Sequence, residues 1–210
     1  MLENIQVLYH SSIRIDKGVK IYIDPFRIQN DYNDADIIFI THDHYDHFSE
    51  KDIQKVMKKD SIIVVPKDIE ENVQELGFVR ENIIEVMPND KGKIKNIEFE
   101  TIHAYNTNKV FHPKENNWVG YILNIDGIKY YIAGDTDITE ENRKVKCDVA
   151  FVPVGGTYTM TWEEAAILVN EIKPKIAVPI HYGSIVGITQ DAVNFTNMLN
   201  LEIEGKILMK

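Results

Sequence analysis

Apolar and polar positions alternate through the opening of the chain. Ile5, Val7 and Tyr9, then Ile13 and Ile15, then Val19, Ile21 and Ile23 recur at a spacing of two, which predicts strands with one buried face. Asp16-Lys17-Gly18 supplies a turn, and Asp24-Pro25 ends the third run. Residues 36–41 form a short apolar run that predicts a buried strand. Ser49 then reads as a helix N-cap, with Glu50 and Asp52 in the first turn and Ile53, Val56 and Met57 on the buried face. A strand at 62–65 follows, then a short helix from about Asp68 that Gly77 can end. Residues 83–86 and 97–102 read as strands, and the polar stretch 105–117 is too long and irregular for a tight turn. Residues 118–125 and 128–133 predict a hairpin joined at Asp126-Gly127. A strand at 148–154 leads into a glycine-containing loop at 155–160. Thr161 and Glu164 form a capping box opening a helix to about Ile172, which Pro174 stops. A strand at 176–180, a helix capped by Thr189 and a last strand at 207–209 complete the chain.

In each half, strands come first and helices alternate with strands afterwards, with no linker-like or low-complexity segment between. That order predicts two similar halves in a single domain spanning 1–210, each a sheet with helices outside it: an α+β fold arranged as a four-layer αββα sandwich. Strand patterns alone also fit a plain α+β domain.

Composition narrows the partners. The 210 residues are 44% hydrophobic and 27% charged, as in an ordinary globular protein. Lys and Arg number 23 against 33 Asp and Glu, a formal charge of −10, which opposes general binding to a phosphate backbone. No stretch approaches the roughly 18 apolar residues of a membrane helix. The first residues also lack the basic start and apolar run of a signal peptide, so a cytoplasmic protein is expected. Cys147 is the only cysteine, which excludes an internal disulfide and a Cys-based metal site; it reads as a packed or half-exposed thiol.

The histidines change the picture most. His42 and His44 are two apart, so in extended backbone both imidazoles point the same way, and Asp46 and His47 follow as the chain curls into the helix. Crowded imidazoles repel when protonated and cost desolvation when buried. A metal removes both problems, because neutral imidazole and carboxylate are ordinary ligands of zinc and related ions. An exposed His-rich loop is the bland alternative. Farther on, His103 follows the strand at 97–102, Asp135 follows 128–133 in Gly134-Asp135-Thr136, and His181 follows 176–180. Each candidate stands at a strand end.

The motif Thr41-His42-Asp43-His44-Tyr45-Asp46-His47 resembles the His-x-His-x-Asp-His signature of the metallo-β-lactamase superfamily, and His103, Asp135 and His181 arrive in that family's order. The resemblance covers nearly the whole chain. It implies a single domain of that sandwich type with two divalent metal ions, zinc foremost, with manganese, nickel or iron as alternatives. His42, His44 and His103 would hold the first ion. Asp46, His47 and His181 would hold the second, with Asp135 bridging. Relatives with di-iron redox chemistry typically carry Glu at the second position of the motif; His44 stands there, which favours hydrolysis. A shared water would become a bridging hydroxide near neutral pH, and Asp46 would orient it as the catalytic residue. Asp24 is expected to hydrogen-bond the ligand loop or a ligand imidazole, or else to serve only an Asp-Pro turn. The segments Gly155–Met160 and Pro179–Ser184 resemble those of the compact branch that includes L-ascorbate-6-phosphate lactonase and the N-acyl-phosphatidylethanolamine phospholipase D type enzymes. Tyr9-His10 stands where relatives of that branch usually have Gly-His; His10 either approaches the metals or is a core histidine.

The segment 104–117 leaves directly from His103. Asn106, Asn108, Lys109 and His112 are candidates for binding an anionic group of a small-molecule substrate, and Tyr158 or Thr159 for lining the site; the bland reading is a solvated loop. Trp118 and Trp162 read as packing residues. The expected activity is hydrolysis of a small ester, lactone or phosphodiester. The alternatives are a nuclease or cyclic-nucleotide phosphodiesterase on the same residues, or a non-hydrolytic metal-binding or redox protein.

Overall fold

The computed structural model describes residues 1–209 as two compact units, one of residues 2–87 with Met209 and one of residues 88–208 with Met1.

In the first unit, β1 (Ile5–Tyr9), β2 (Ser12–Asp16) and β3 (Lys20–Ile23) form an antiparallel meander, as their alternation predicts. Three parallel strands extend it, β4 (Ile37–Phe39), β5 (Ile62–Pro66) and β6 (Ile83–Val86), in the order β1-β2-β3-β4-β5-β6. Parallel strands need crossovers. Helix α1 (Glu50–Val56) lies in the β4–β5 crossover and α2 (Glu70–Glu75) in the β5–β6 crossover. Ile53 and Val56 of α1 and Val73 of α2 bury against Ile38, Ile40, Ile63 and Val65. Ser49 occupies the N-cap position of α1, yet its hydroxyl does not cap a backbone N–H. It donates instead to Asp52 Oδ2 at 2.8 Å. Asp52 in turn accepts from the backbone N–H groups of Arg27 and Ile28, which ties the β3–β4 connection to the helix.

The second unit repeats the plan. Strands β7 (Lys91–Ile94), β8 (Ile97–His103), β9 (Val119–Ile125) and β10 (Ile128–Ile132) are antiparallel neighbours. β11 (Val149–Pro153), β12 (Ile176–Ile180) and β13 (Glu204–Gly205) add in parallel, giving the order β13-β12-β11-β10-β9-β8-β7. Asp126 and Gly127 both have positive φ, 52° and 78°, as a two-residue hairpin turn requires. Helix α3 (Trp162–Ile172) carries the expected capping box, with Glu164 N–H donating to Thr161 Oγ1 and Thr161 N–H to the Glu164 carboxylate. Trp118 is buried.

Two expectations need correction, and one strand was not foreseen. Thr189 is the first residue of α4 (Thr189–Asn197) rather than its cap; Ile188 holds the cap position, and its N–H donates to Asp191 Oδ2 at 2.7 Å. The terminal strand is the two-residue β13, because Glu204 and Gly205 pair with Ile176 and Ala177 while residues 207–209 join neither sheet. Strand β7 escapes the alternation rule, since Ile94 is its only buried residue. Among the described residues, no helix is long and apolar enough to cross a membrane.

Candidate metal centre

Parallel pairing explains how distant residues of the first unit meet. β3 and β4 run side by side and end on the same edge of the sheet, so Asp24 comes beside Thr41. Asp24 is buried at φ 45° and accepts from Thr41 N–H at 2.8 Å, Thr41 Oγ1 at 2.7 Å and His47 Nδ1 at 2.7 Å. Burial pushes its carboxyl above the usual value, while the His47 ring and Thr41 pull it down. Because Thr41 Oγ1 donates to Asp24, it accepts from His42 Nδ1, 2.9 Å away. Both hydrogen bonds fix a tautomer: the Nδ1 of His42 and of His47 carries the proton, leaving each Nε2 as a lone-pair donor.

The rings of His42 and His47 lie 4.0 Å apart by centroid. His42 Nε2 and His44 Nδ1 are separated by 3.2 Å. Two nitrogens bound to one tetrahedral zinc at its ordinary bond length stand about 3.3 Å apart, so this spacing suits a shared ion. Asp46 Oδ2 is 3.8 Å from His47 Nε2 and 3.4 Å from His10 Nε2. His10, at the sheet end of an irregular β1–β2 turn, is buried with φ 52°, a conformation costing on the order of 1–3 kcal/mol for a non-glycine residue.

In the second unit, β10, β11 and β12 are also parallel, so the residues that follow them gather on one edge. Asp135, after β10, presents Oδ2 to His181 Nε2 at 3.0 Å. The same oxygen lies 3.4 Å from His112 Nε2. His112, Asp135 and His181 are all buried. His112 is held from behind by Asn106: its N–H and Nδ1 meet Asn106 Oδ1 at 3.1 and 3.2 Å, and Asn106 N–H donates to the His112 carbonyl at 2.8 Å. Asn106 Nδ2 reaches the Tyr158 carbonyl.

His103 is placed differently. It is half-buried, donates from Nε2 to the Lys114 carbonyl at 2.9 Å and packs edge-on against Tyr105. Burial lowers its pKa. Lys109 pairs with Asp137 at 2.5 Å, and Lys114 pairs with Glu141 at 2.9 Å, so both lysines of the 104–117 segment are neutralised within the chain. The Tyr158 ring stacks edge-on against Phe111, and Asn108 is exposed.

The groups at these strand ends are thus imidazole nitrogens and carboxylate oxygens, mostly buried, and the tautomers of His42, His47 and His112 are fixed by Thr41, Asp24 and Asn106. That is the chemistry a divalent transition metal takes. His10, His42, His44, Asp46, His47, His112, Asp135 and His181 belong to side-chain groups able to hold a metal ion, and among the described residues His103 belongs to none. Cys147 offers no competing nucleophile, since burial and the neighbouring Asp148 push its thiol up to about 12.

Residues 4–181 match the family model described as the beta-lactamase superfamily domain. The chain belongs to this superfamily. A UPF0173 metal-dependent hydrolase of Lysinibacillus sphaericus is 30% identical over 216 residues, covering 93% of this superfamily member and 92% of that protein. The crystal structure of a candidate metal-dependent hydrolase from Parabacteroides distasonis superposes with a TM-score of 0.84 at 34% identity, covering 98% and 93% of the two chains. The mixed α/β architecture with two sheets is therefore the superfamily's fold. CmlA of Streptomyces venezuelae, a diiron β-hydroxylase, shares it at 13% identity and a TM-score of 0.75 over 52% of its own length, so the superfamily fold by itself does not select hydrolysis.

Proposed function

We propose that this chain is a di-metal hydrolase of a small ester, lactone or phosphodiester, with His42, His44, Asp46, His47, His112, Asp135 and His181 as the metal donors. His112 takes the place that sequence order gives to His103. The observation that carries this reading is the buried Asp135 carboxylate, whose one oxygen faces the Nε2 atoms of both His181 and His112 at 3.0 and 3.4 Å. A bridging carboxylate between two cations has such surroundings. The name of the Lysinibacillus relative and the His at the second motif position both favour hydrolysis over the redox chemistry of a diiron neighbour.

When bound, two divalent ions supply Lewis acidity and lower the pKa of a shared water, with zinc as the first choice. The chain's own groups do the rest. Asp46 orients the attacking water and accepts its proton. Asp24 and Thr41 lock the tautomers of His47 and His42, and Asn106 locks that of His112. Because Lys109 and Lys114 are ion-paired, the 104–117 segment contributes no cation to an anionic substituent; esters and lactones with uncharged flanks fit better than substrates with a second anionic group. Phe111 and Tyr158 offer apolar surface for such a flank.

Two variants test the donor set. His112→Ala should bind less zinc per chain than the wild type and lose most hydrolysis of p-nitrophenyl esters, while His103→Ala should keep its metal content. Elemental analysis with initial rates reads both. Full metal in His112→Ala together with loss in His103→Ala would restore His103 as the ligand.

A further inference from the structure

His10 is not among the donors proposed above, yet three independent features converge on it. Its imidazole is fully buried, with Nε2 3.4 Å from Asp46 Oδ2. Its backbone is held at φ 52°, directly after the register irregularity between Val7 and Tyr9. Its N–H donates to the thioether of Met209, 3.2 Å away and 199 positions along the chain. A histidine serving only to fill the core needs none of these.

We propose that His10 is a positioning residue of the metal centre, holding Asp46 in its ligating orientation, and that Met209 holds His10. The inference rests on the metal-hydrolase reading. A ligand carboxylate can rotate between binding through one oxygen and through two, and an imidazole nitrogen 3.4 Å from Oδ2 restricts that freedom. The His10 ring lies edge-on to His47, with centroids 6.5 Å apart, so the carboxylate is set between two imidazoles. Asp46 then presents a fixed oxygen to the metal and to the attacking water. Left-handed backbone at His10 turns the ring inward toward Asp46, and a thioether is a weak acceptor that occupies the N–H freed by that turn. Met209 thereby reaches the first strand pair and braces the Asp46 carboxylate through His10.

The test uses the full-length protein, zinc alone as the binding probe, and a p-nitrophenyl ester for rates. His10→Ala should weaken zinc affinity about 10–100-fold, the usual effect of removing a group that orients a ligand. It should lower kcat more than it raises KM. His10→Gln places an amide N–H within reach of the same oxygen and should recover most of the affinity. Met209→Leu, which keeps volume but removes the acceptor, should show a smaller loss in the same direction. Wild-type zinc affinity in a folded His10→Ala protein would reduce His10 to packing. If His10→Gln lost as much as His10→Ala, His10 would be a direct ligand and the positioning role would be overturned. Should His10→Ala fail to fold, the His10→Gln and Met209→Leu pair decides alone. A wild-type protein that binds no zinc would instead overturn the hydrolase reading itself.

Discussion

His103 and His112 carry the same side chain on the same segment, and their surroundings separate them. The His103 ring spends its Nε2 proton on the Lys114 carbonyl, at the half-buried end of β8. His112 has Asn106 on its Nδ1 side and Asp135 on its Nε2 side. Strand-end position was the cue for His103, and it is a cue of sequence alone. The clasp between Asn106 and His112 joins residues six apart through side chain and backbone at once, and no periodicity announces it. Asp24 is the opposite case: its strand-end place before Pro25 offered a hydrogen bond to the histidine loop beside a plain Asp-Pro turn, and its carboxylate meets Thr41 and His47. The expected outcome for Asp24→Ala is a drop in zinc affinity of about 10–100-fold with secondary structure retained, because His47 loses the partner that fixes its tautomer and Thr41 loses its acceptor. Competition with a chromophoric chelator measures it. An unchanged affinity would return Asp24 to the role of a turn residue.

At the scale of elements, the parallel strands do the assembling. β3 and β4 in one unit end side by side, as do β10, β11 and β12 in the other, and each set leaves its following residues on one edge of its own sheet. The alternating runs of β1, β2 and β3 and the apolar runs of β4, β5, β11 and β12 were legible because each buries whole faces. β7 and β13 were not, because an edge strand of polar residues is specified by its neighbour's backbone rather than by its own side chains. The loop after β11 shows how tightly this edge is built. A Cβ added to Gly155 would meet the His181 carbonyl oxygen at 2.3 Å and Val186 Cγ2 at 2.7 Å. The oxygen is backbone and cannot swing aside. Gly155→Ala must therefore move the strand end that carries His181, and it should lower both the unfolding temperature and zinc affinity. Gly18→Ala is the control: its positive φ imposes backbone strain, but there is open space around it and it lies far along the chain from any donor. It should cost stability without zinc affinity. Equal zinc affinity in the two variants would dissociate the loop packing from the metal centre.

For the molecule as a whole, the proposed centre gathers buried imidazoles and carboxylates in a chain of net charge −10, so stability should depend on metal and pH in two separable limbs. Metal bound only by the folded chain stabilises it by about 2.7 kcal/mol per site at a free concentration 100 times Kd. For a chain of this size that corresponds to a rise in unfolding temperature of roughly 5–10 °C. Neutral imidazole binds metal and protonated imidazole does not, so this gain is complete above pH 7. It declines as pH falls through the ordinary histidine range of about 6.5 and disappears in acid. The second limb belongs to Glu141. Burial alone would raise its carboxyl, but Lys114 and Tyr105 override burial and hold it at about 2. A carboxylate with a depressed folded pKa contributes stability that is present above its ordinary value of 4.5 and lost as pH falls toward 2. Unfolding temperatures of the zinc-loaded and chelator-treated proteins, measured from pH 8 to pH 3, distinguish the limbs. Chelation should erase the limb between pH 7 and 5 and leave the acid limb; Glu141→Gln should flatten the acid limb and leave the other. A chelator-treated protein with the same unfolding temperature as the zinc-loaded one at pH 8 would mean that folding and metal are not linked, and the seven donors would have to be explained without an ion.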